Sequence, residues 1–184
     1  MRTDRKSSPD SLAGCLLLAH PSLRDQNFRR TVILMTAHGP DGAMGVVINR
    51  PLDRRLADIG GDFALGPLAG VSVYQGGPVQ TEQLILAGWK AQLHGFQLHM
   101  GIDPEKAAGL FGEPDTHIRA FLGYSGWTGG QLETELKADA WVVADAPTDL
   151  FSQPADPALW RMLLGREGAE WLLLADEPED PEDN

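Results

Sequence analysis

Three short apolar segments within residues 14–51 constrain the fold of this 184-residue chain more than any other feature. Residues 15–19, 31–35 and 43–49 are rich in Leu, Val and Ile, which is typical of strands that are buried on both faces. A Gly-Pro-Asp-Gly turn over residues 39–42 separates the second segment from the third. The pattern predicts an antiparallel hairpin in the middle of one sheet, but it does not indicate which reaction, if any, the protein catalyses.

Strand and helix patterns alternate irregularly after this hairpin. Beyond Pro51, the spacing of Leu52, Leu56 and Ile59 predicts a short amphipathic helix. Further strands are predicted at residues 71–75, 81–87, 96–100, 117–123, 141–144, 148–151 and 171–174. Further helices are predicted to begin near Asp103, Thr128 and Asp156. The mixed order predicts an α+β fold, with a largely antiparallel or mixed β-sheet flanked by three or four helices.

Length and charge divide the chain into a body and two polar ends. A chain of 184 residues suits a single domain, which we expect over residues 11–175. Residues 1–10 are expected to form a flexible N-terminus. Residues 176–184 form an acidic, proline-broken tail that is expected to be disordered and dispensable for folding.

The formal net charge of −11 and the pI near 4.7 argue against nucleic acid as a direct partner. Non-specific binding to nucleic acid needs clustered Lys and Arg, and the sequence has no basic cluster and no helix-turn-helix pattern. Direct binding to nucleic acid is therefore expected to be weak. No apolar run approaches the ~20 residues that a membrane span needs, so a cytoplasmic protein is expected.

The reactive residue types are sparse. The single cysteine, Cys15, lies in a predicted buried strand and is expected to be inert. The five histidines do not have the spacing of metal ligands, so neither a metal nor a cofactor is predicted.

The sequence GYSGW at residues 123–127 lies between a predicted strand and a predicted helix, where a hydrolase carries its nucleophile. One hypothesis makes Ser125 that nucleophile, but the pattern has Trp127 where the motif requires Gly. The alternative is a tight turn that needs small residues. A groove for a small molecule or peptide beside Tyr124 and Trp127 is a third possibility, because aromatic residues on a glycine-rich loop suit binding.

Asn49, Arg50 and Pro51 end the third strand of the first group. Asn49 could cap the helix predicted after Pro51. Arg50 could pair with a carboxylate inside the protein or with a ligand. The two roles of Arg50 remain open at this point.

The motifs GCLLLAHPSLRDQNFRRTVILM, GAMGVVINRPL, GGPV and LGYSGWTGGQLETEL occur in this order, followed by Trp141 and Leu159-Trp160. In this combination the chain resembles the YqgE/AlgH family of bacterial proteins. The resemblance implies one α+β domain with a coiled, bifurcated sheet, and it implies no established activity. One branch of the family has been described as transcriptional regulators. Two positions depart from the family pattern: Leu86-Ala87 replaces a Leu-His pair, and Ser125 replaces an alanine.

The Gly- and Pro-rich motifs are predicted to converge on one surface that carries the function, since each follows a predicted strand end. The predicted binding residues are Asn49, Arg50, Pro51, Gly76, Gly77, Pro78, Gly123, Tyr124, Ser125, Gly126 and Trp127. The favoured function is a non-enzymatic binding or regulatory protein with a protein partner or a small ligand. The alternative is an enzyme of unrecognised type that uses the cleft beside Tyr124 and Trp127, with no catalytic residue assigned.

Overall fold

A computed structural model describes residues 11–176 of the chain. Nine strands are assigned there: β1 Cys15–Ala19, β2 Val32–Gly39, β3 Gly42–Val47, β4 Pro51–Arg55, β5 Ser72–Gln75, β6 Val79–Gln92, β7 Gly95–Met100, β8 Thr116–Thr128 and β9 Trp141–Asp145. Five α-helices accompany them: α1 Leu56–Ile59, α2 Pro104–Leu110, α3 Gln131–Lys137, α4 Ala158–Glu167 and α5 Ala169–Ala175. The predicted α+β class and mixed sheet are confirmed, with five helices rather than three or four.

Strand β8 joins the two halves of the sheet. Its N-terminal part lies between β6, which is antiparallel to it, and β5, which is parallel. Its last residues pair with β3, so the strand order continues β8-β3-β2-β1-β9. Strand β4 extends the sheet beyond β5, and β7 pairs with β6. The motif GYSGW at residues 123–127 therefore lies inside a long strand and not in a loop between a strand and a helix.

The predicted central hairpin is confirmed. Strands β2 and β3 are antiparallel, and β1 pairs with both β2 and β9. Leu16, Leu17 and Leu18 are fully buried, as expected for a strand covered on both faces. The single cysteine, Cys15, begins β1 and is only partly buried.

Three local predictions are wrong. The helix expected from Leu52 is mostly strand β4, because Pro51 and Arg54 pair with β5, and only Leu56–Ile59 is helical. Residues 148–151 form no strand, since Leu150–Ser152 is a 3₁₀ turn. Residues 171–174 lie in helix α5, which packs against α4 through Leu172 and Gly165.

The remaining helix signals are realised at the expected places. Asp103 is the N-cap of α2, where its Oδ1 accepts the Lys106 N–H at 2.7 Å. Gln131 Oε1 accepts the Thr128 N–H at 3.1 Å immediately before α3. Asp156 Oδ1 likewise accepts the Ala158 N–H at the start of α4.

The predictions for residues 1–10 and 177–184 lie outside the described residues. Asp176, the first residue of the predicted tail, is described, and its carboxylate pairs with Arg161 at 2.6 and 2.8 Å. Within residues 11–176, no helix is both long and apolar enough to cross a membrane.

Candidate binding site

The GGPV and GYSGW motifs meet through their backbones. A Cβ atom added to Gly76 would lie 2.3 Å from the Gly123 carbonyl oxygen, and one added to Gly77 would lie 2.2 Å from the Tyr124 carbonyl oxygen. Gly77 also has a φ of +154°, which side-chain-bearing residues rarely adopt. The glycines are therefore required by a close backbone contact between the β5–β6 connection and β8.

Ser125 is part of this contact. Its side chain is fully buried, and its Oγ donates to the Gly76 carbonyl oxygen at 3.2 Å. The same carbonyl accepts the Val47 N–H at 2.8 Å, which ties β3 to the motif. A fully buried hydroxyl that donates to a main-chain carbonyl is placed for structure, and this placement opposes the nucleophile hypothesis.

Asn49 does not cap a helix, contrary to expectation. Its side chain is 1% exposed. Its Oδ1 accepts the Val32 N–H at 2.9 Å, and its Nδ2 donates to the Arg30 carbonyl oxygen at 2.9 Å. The amide therefore fixes the point at which the chain passes from residue 30 into β2.

The hydrogen bonds of the Arg50 guanidinium go to main-chain carbonyl oxygens and not to a carboxylate. Its Nη1 donates to the Asn27 carbonyl oxygen at 2.6 Å, and its Nη2 donates to the carbonyl oxygens of Gln26 and Arg29, both at 3.1 Å. Burial and then the nearby charge of Arg29 lower the pKa of Arg50, although Asp25 opposes this in part. Arg50 thus binds the backbone of residues 26–29, which we call the Arg50 loop.

Trp127 contacts the same loop from its position on β8. The indole is 6% exposed and stacks against Phe28 at 6.4 Å between ring centroids. Phe28 also meets Trp141 edge-on at 5.7 Å. Two of the sequence-predicted residues, Arg50 and Trp127, therefore stabilise one loop that the sequence prediction did not include.

The remaining predicted residues differ in their exposure and in their strand partners. Pro51 begins β4 opposite Tyr74, and Pro78 and Gly126 are exposed. Tyr124 is partly buried on β8 and is paired with Val79. These positions surround the backbone contact described above.

A cleft of about 340 Å³ lies beside the Arg50 loop. It is lined by His20, Pro21, Ser22, Leu23, Arg24, Gln26, Arg29, Arg30, Leu174 and Ala175. Three of these residues are arginines, in a chain whose net charge is −11. Contrary to the expectation that the chain has no basic cluster, Arg24, Arg29 and Arg30 lie within seven residues, and this concentration could have revealed the cleft.

The ring of His38 has a neighbouring polar group at each nitrogen. His38 Nδ1 accepts the Leu12 N–H at 3.0 Å, and its other ring nitrogen lies 2.8 Å from Glu133 Oε1. Across residues 11–176, no group of three or more His, Cys, Asp or Glu side chains is arranged to hold a metal ion.

The chain matches the family model DUF179, described as AlgH-like, over residues 16–172. It is 38% identical to a UPF0301 protein of Streptomyces coelicolor over 183 residues, which cover 93% of this chain and 94% of the relative. A UPF0301 protein of Magnetococcus marinus is also 38% identical, over 90% of this chain and 94% of its own.

Two solved structures share the fold. The solution structure of AlgH from Pseudomonas aeruginosa, a UPF0301 protein, superposes with a TM-score of 0.68 at 30% identity and covers 95% of this chain and 98% of its own. A crystal structure of a Corynebacterium diphtheriae protein gives a TM-score of 0.67 at 23% identity over 95% of this chain and 94% of its own, which supports the fold alone. The chain belongs to the AlgH-like family of bacterial UPF0301 proteins.

Proposed function

We propose that this protein is a non-enzymatic binding protein and that its cleft beside the Arg50 loop holds a small organic anion. The observation that carries the proposal is the placement of Arg24, Arg29 and Arg30 on one cleft of a strongly acidic protein. Guanidinium groups are well suited to carboxylate and phosphate oxygens because they donate in a planar fork. A volume of about 340 Å³ fits a small molecule.

Charge at the loop supports an anionic ligand. Arg29 and Arg50 are close enough that the charge of Arg29 contributes to lowering the pKa of Arg50. Asp25 already opposes this effect in part, and an anion bound in the cleft would add to that compensation. Leu23 and Leu174 add apolar surface to the same cleft, which favours an organic anion over a bare inorganic one.

In this proposal the Gly- and Pro-rich motifs contribute by holding the loop. Arg50 binds its carbonyl groups, Asn49 binds the Arg30 carbonyl oxygen that directly follows the loop, and Trp127 packs on Phe28. Gly76, Gly77 and Gly123 allow the β5–β6 connection to approach β8, the strand that carries Trp127, closely. The motif residues are then positioning residues, and the arginines of the cleft contact the ligand.

Two features support binding over catalysis. Ser125, which carried the hydrolase hypothesis, is fully buried and donates to a main-chain carbonyl. The cleft is lined by three arginines, by other polar side chains that include His20 and Ser22, and by apolar residues, and no Asp, Glu or Cys side chain is among its described lining residues. A regulatory role would follow if the bound anion altered the affinity for a partner protein.

The test is a calorimetric titration with citrate and with inorganic pyrophosphate at constant ionic strength. We expect saturable binding of at least one probe, and Arg29→Gln is expected to weaken it by about tenfold or more, since a charge-assisted hydrogen bond contributes about 1.5–3 kcal/mol. Arg54→Gln is the matched control, because it removes the same charge from a residue that does not line the cleft. Absence of binding at millimolar probe, or equal losses in both variants, would contradict the proposal.

A further inference from the structure

Helix α5 brings the chain directly to the cleft beside the Arg50 loop. Its last two residues, Leu174 and Ala175, line that cleft. Asp176 follows them, and its two carboxylate oxygens accept from Arg161 at 2.6 and 2.8 Å. This two-point contact holds the backbone from which residues 177–184 continue at the rim of the cleft.

The charge of residues 177–184 complements the cleft. Their sequence, EPEDPEDN, carries five carboxylates and no basic side chain. An acidic protein repels such a segment over most of its surface. The cleft is the exception, because three of its lining residues are arginines and no Asp or Glu is among the described ones. Arg161 lowers the pKa of Asp176, and the charge of Arg30 lowers it further, so a cation of the cleft already acts on the carboxylate that precedes the segment.

The segment can reach the cleft without strain. Each residue adds at most about 3.6 Å of reach, so the backbone of Glu179 stays within about 11 Å of Asp176, and that of Glu177 stays closer still. Pro178 restricts the backbone and thereby reduces the conformational entropy that is lost on docking. A short tether also gives the segment an effective concentration of about a millimolar at the cleft. Individually weak contacts are then sufficient for occupancy.

Residues 1–10 match the cleft less well in position and in charge. Ser11 Oγ donates to the His38 carbonyl oxygen at 3.2 Å, near the end of β2. Arg30 of the cleft precedes the other end of the same strand, which begins at Val32. A strand rises about 3.3 Å per residue, so these two points are about 20 Å apart. Residues 1–10 also carry three basic side chains against two acidic ones.

We propose that residues 177–184 dock through their carboxylates in the arginine-lined cleft and compete there with the organic anion. The competition rests on the proposed function, whereas the docking does not. A carboxylate of the segment presents the same oxygen atoms to a guanidinium group as a carboxylate ligand does, so the two exclude each other. A segment that is docked about nine-tenths of the time lowers the apparent affinity for the anion about tenfold. The segment therefore sets the anion concentration at which the cleft fills.

Docking is measured by paramagnetic relaxation in the full chain, with a nitroxide attached to Asn184→Cys and with Cys15→Ser to prevent labelling of β1. We expect the amide signals of Ser22 and Arg24, which line the cleft, to broaden. Both should recover at 1 M salt, where the Debye length is about 3 Å. The matched control, which we call the five-amide variant, keeps the length of the segment and removes its charge, and its broadening should fall clearly below that of the wild-type segment. It carries Glu177→Gln, Glu179→Gln, Asp180→Asn, Glu182→Gln and Asp183→Asn.

Competition is measured by calorimetric titration of the wild type and the five-amide variant with citrate and with inorganic pyrophosphate at constant ionic strength. We expect the variant to bind at least one probe about threefold or more tightly than the wild type. A remote variant controls for net charge, because it neutralises five exposed acids that do not line the cleft and make no hydrogen bond or ion pair with any residue between 11 and 176. It carries Asp53→Asn, Asp62→Asn, Glu82→Gln, Glu105→Gln and Asp115→Asn. Its affinity should stay within about twofold of the wild type.

Equal broadening in the wild type and the five-amide variant overturns the docking. Broadening that passes from a labelled chain to a separate, isotope-enriched chain also overturns it, since the cleft would then hold the segment of a second copy. Equal gains in affinity in the five-amide and remote variants overturn the competition, because net charge alone would explain them. If no chain binds either probe, the proposed function fails and the competition fails with it, while the relaxation experiment still decides the docking. Circular dichroism spectra establish that each variant is folded.

Discussion

Trp127 and Trp141 donate their indole N–H groups to the same oxygen atom, Oε2 of Glu135, at 2.9 and 2.8 Å. The other carboxylate oxygen of Glu135 accepts from Gln131 Nε2 at 3.0 Å. The two indoles meet edge-on at 6.2 Å between centroids. One carboxylate on α3 therefore fixes both rings that support Phe28 of the Arg50 loop.

Replacing Glu135 by Ala should destabilise the protein by about 2 kcal/mol or more. The change leaves two indole N–H groups, in side chains that are each 6% exposed, without an acceptor. Glu135→Gln keeps one acceptor and should cost less. Urea unfolding measures both, and Glu167→Ala on the exposed side of α4 should change the free energy of unfolding by under about 0.5 kcal/mol. A loss in Glu135→Ala no larger than in this control would contradict the shared-acceptor role.

Arg50→Ala should loosen residues 26–29 and lower stability by about 1–3 kcal/mol, because three carbonyl oxygens lose a charged donor. Arg50→Lys keeps the charge but cannot span three carbonyls with a planar fork, so it should recover only part of the loss. Hydrogen exchange measures the effect, and faster exchange should appear at the Phe28 and Arg29 amides, which donate to the Asp25 carbonyl. Unchanged exchange there would show that Arg50 does not hold the loop.

Gly77→Ala should destabilise the fold strongly, by about 2 kcal/mol or more, because the new methyl group would overlap the Tyr124 backbone in a region of positive φ. Gly109→Ala is the matched control. Gly109 lies in helix α2 with open space around its Cβ position, so the same substitution there should stabilise by about 0.5–1 kcal/mol. Thermal unfolding of both variants checks the pair, and similar effects in the two would refute the close-contact argument.

Acid should destabilise the protein through three carboxylates. Hydrogen bonds from Arg166 lower the pKa of Asp149, and Arg161 does the same for Asp176. A backbone hydrogen bond and then His38 lower the pKa of Glu133. Because each folded pKa is depressed, the contribution is complete above the unfolded values near about 4 and is lost as the pH falls through the lower folded values.

Urea unfolding between pH 7 and pH 2 measures this acid dependence. Asp149→Asn should flatten the stability profile below about pH 4 relative to the wild type. Glu105→Gln on α2 is the control, since that side chain is exposed and forms no hydrogen bond or ion pair with any residue between 11 and 176. A profile for Asp149→Asn that matches the wild type would show that the Arg166 pair contributes nothing.

Duplex DNA should bind weakly or not at all at physiological salt, because the net charge is −11. Fluorescence anisotropy with a labelled duplex provides the measurement. Sub-micromolar, sequence-selective binding would contradict this prediction, since non-specific affinities are about 10⁻⁴–10⁻⁶ M.

Features encoded by nearby residues could be predicted from the sequence. The β2–β3 hairpin follows from two apolar runs and a turn, and the start of α2 follows from Asp103 and Pro104. Long-range pairing overrode the local signal elsewhere: residues 52–55 have helical spacing but form a strand because β5 offers them a partner. The apolar run at residues 171–174 is compatible with a strand or a helix, and packing on α4 decided the outcome.

The candidate site was predictable only in part. The motifs drew attention to Arg50 and Trp127, whose side chains do converge on one loop. The loop itself was missed because its stabilising partners lie 21 or more positions away in sequence and bind its main-chain carbonyls. Main-chain acceptors are present in every residue, so the sequence does not distinguish the ones that an arginine will select.

The pairing of β1 with β9 has a consequence for biosynthesis. Cys15 lies opposite Asp145. One edge of β1 therefore stays unpaired until β9, the last strand in the sequence, has been synthesised. Phe28 likewise lacks its aromatic partners until Trp127 and Trp141 have been made. A nascent chain that has left the ribosome only as far as β7 therefore exposes an apolar strand edge and an unsupported loop. Such intermediates are prone to aggregation, and this topology makes the protein a candidate for chaperone protection during translation.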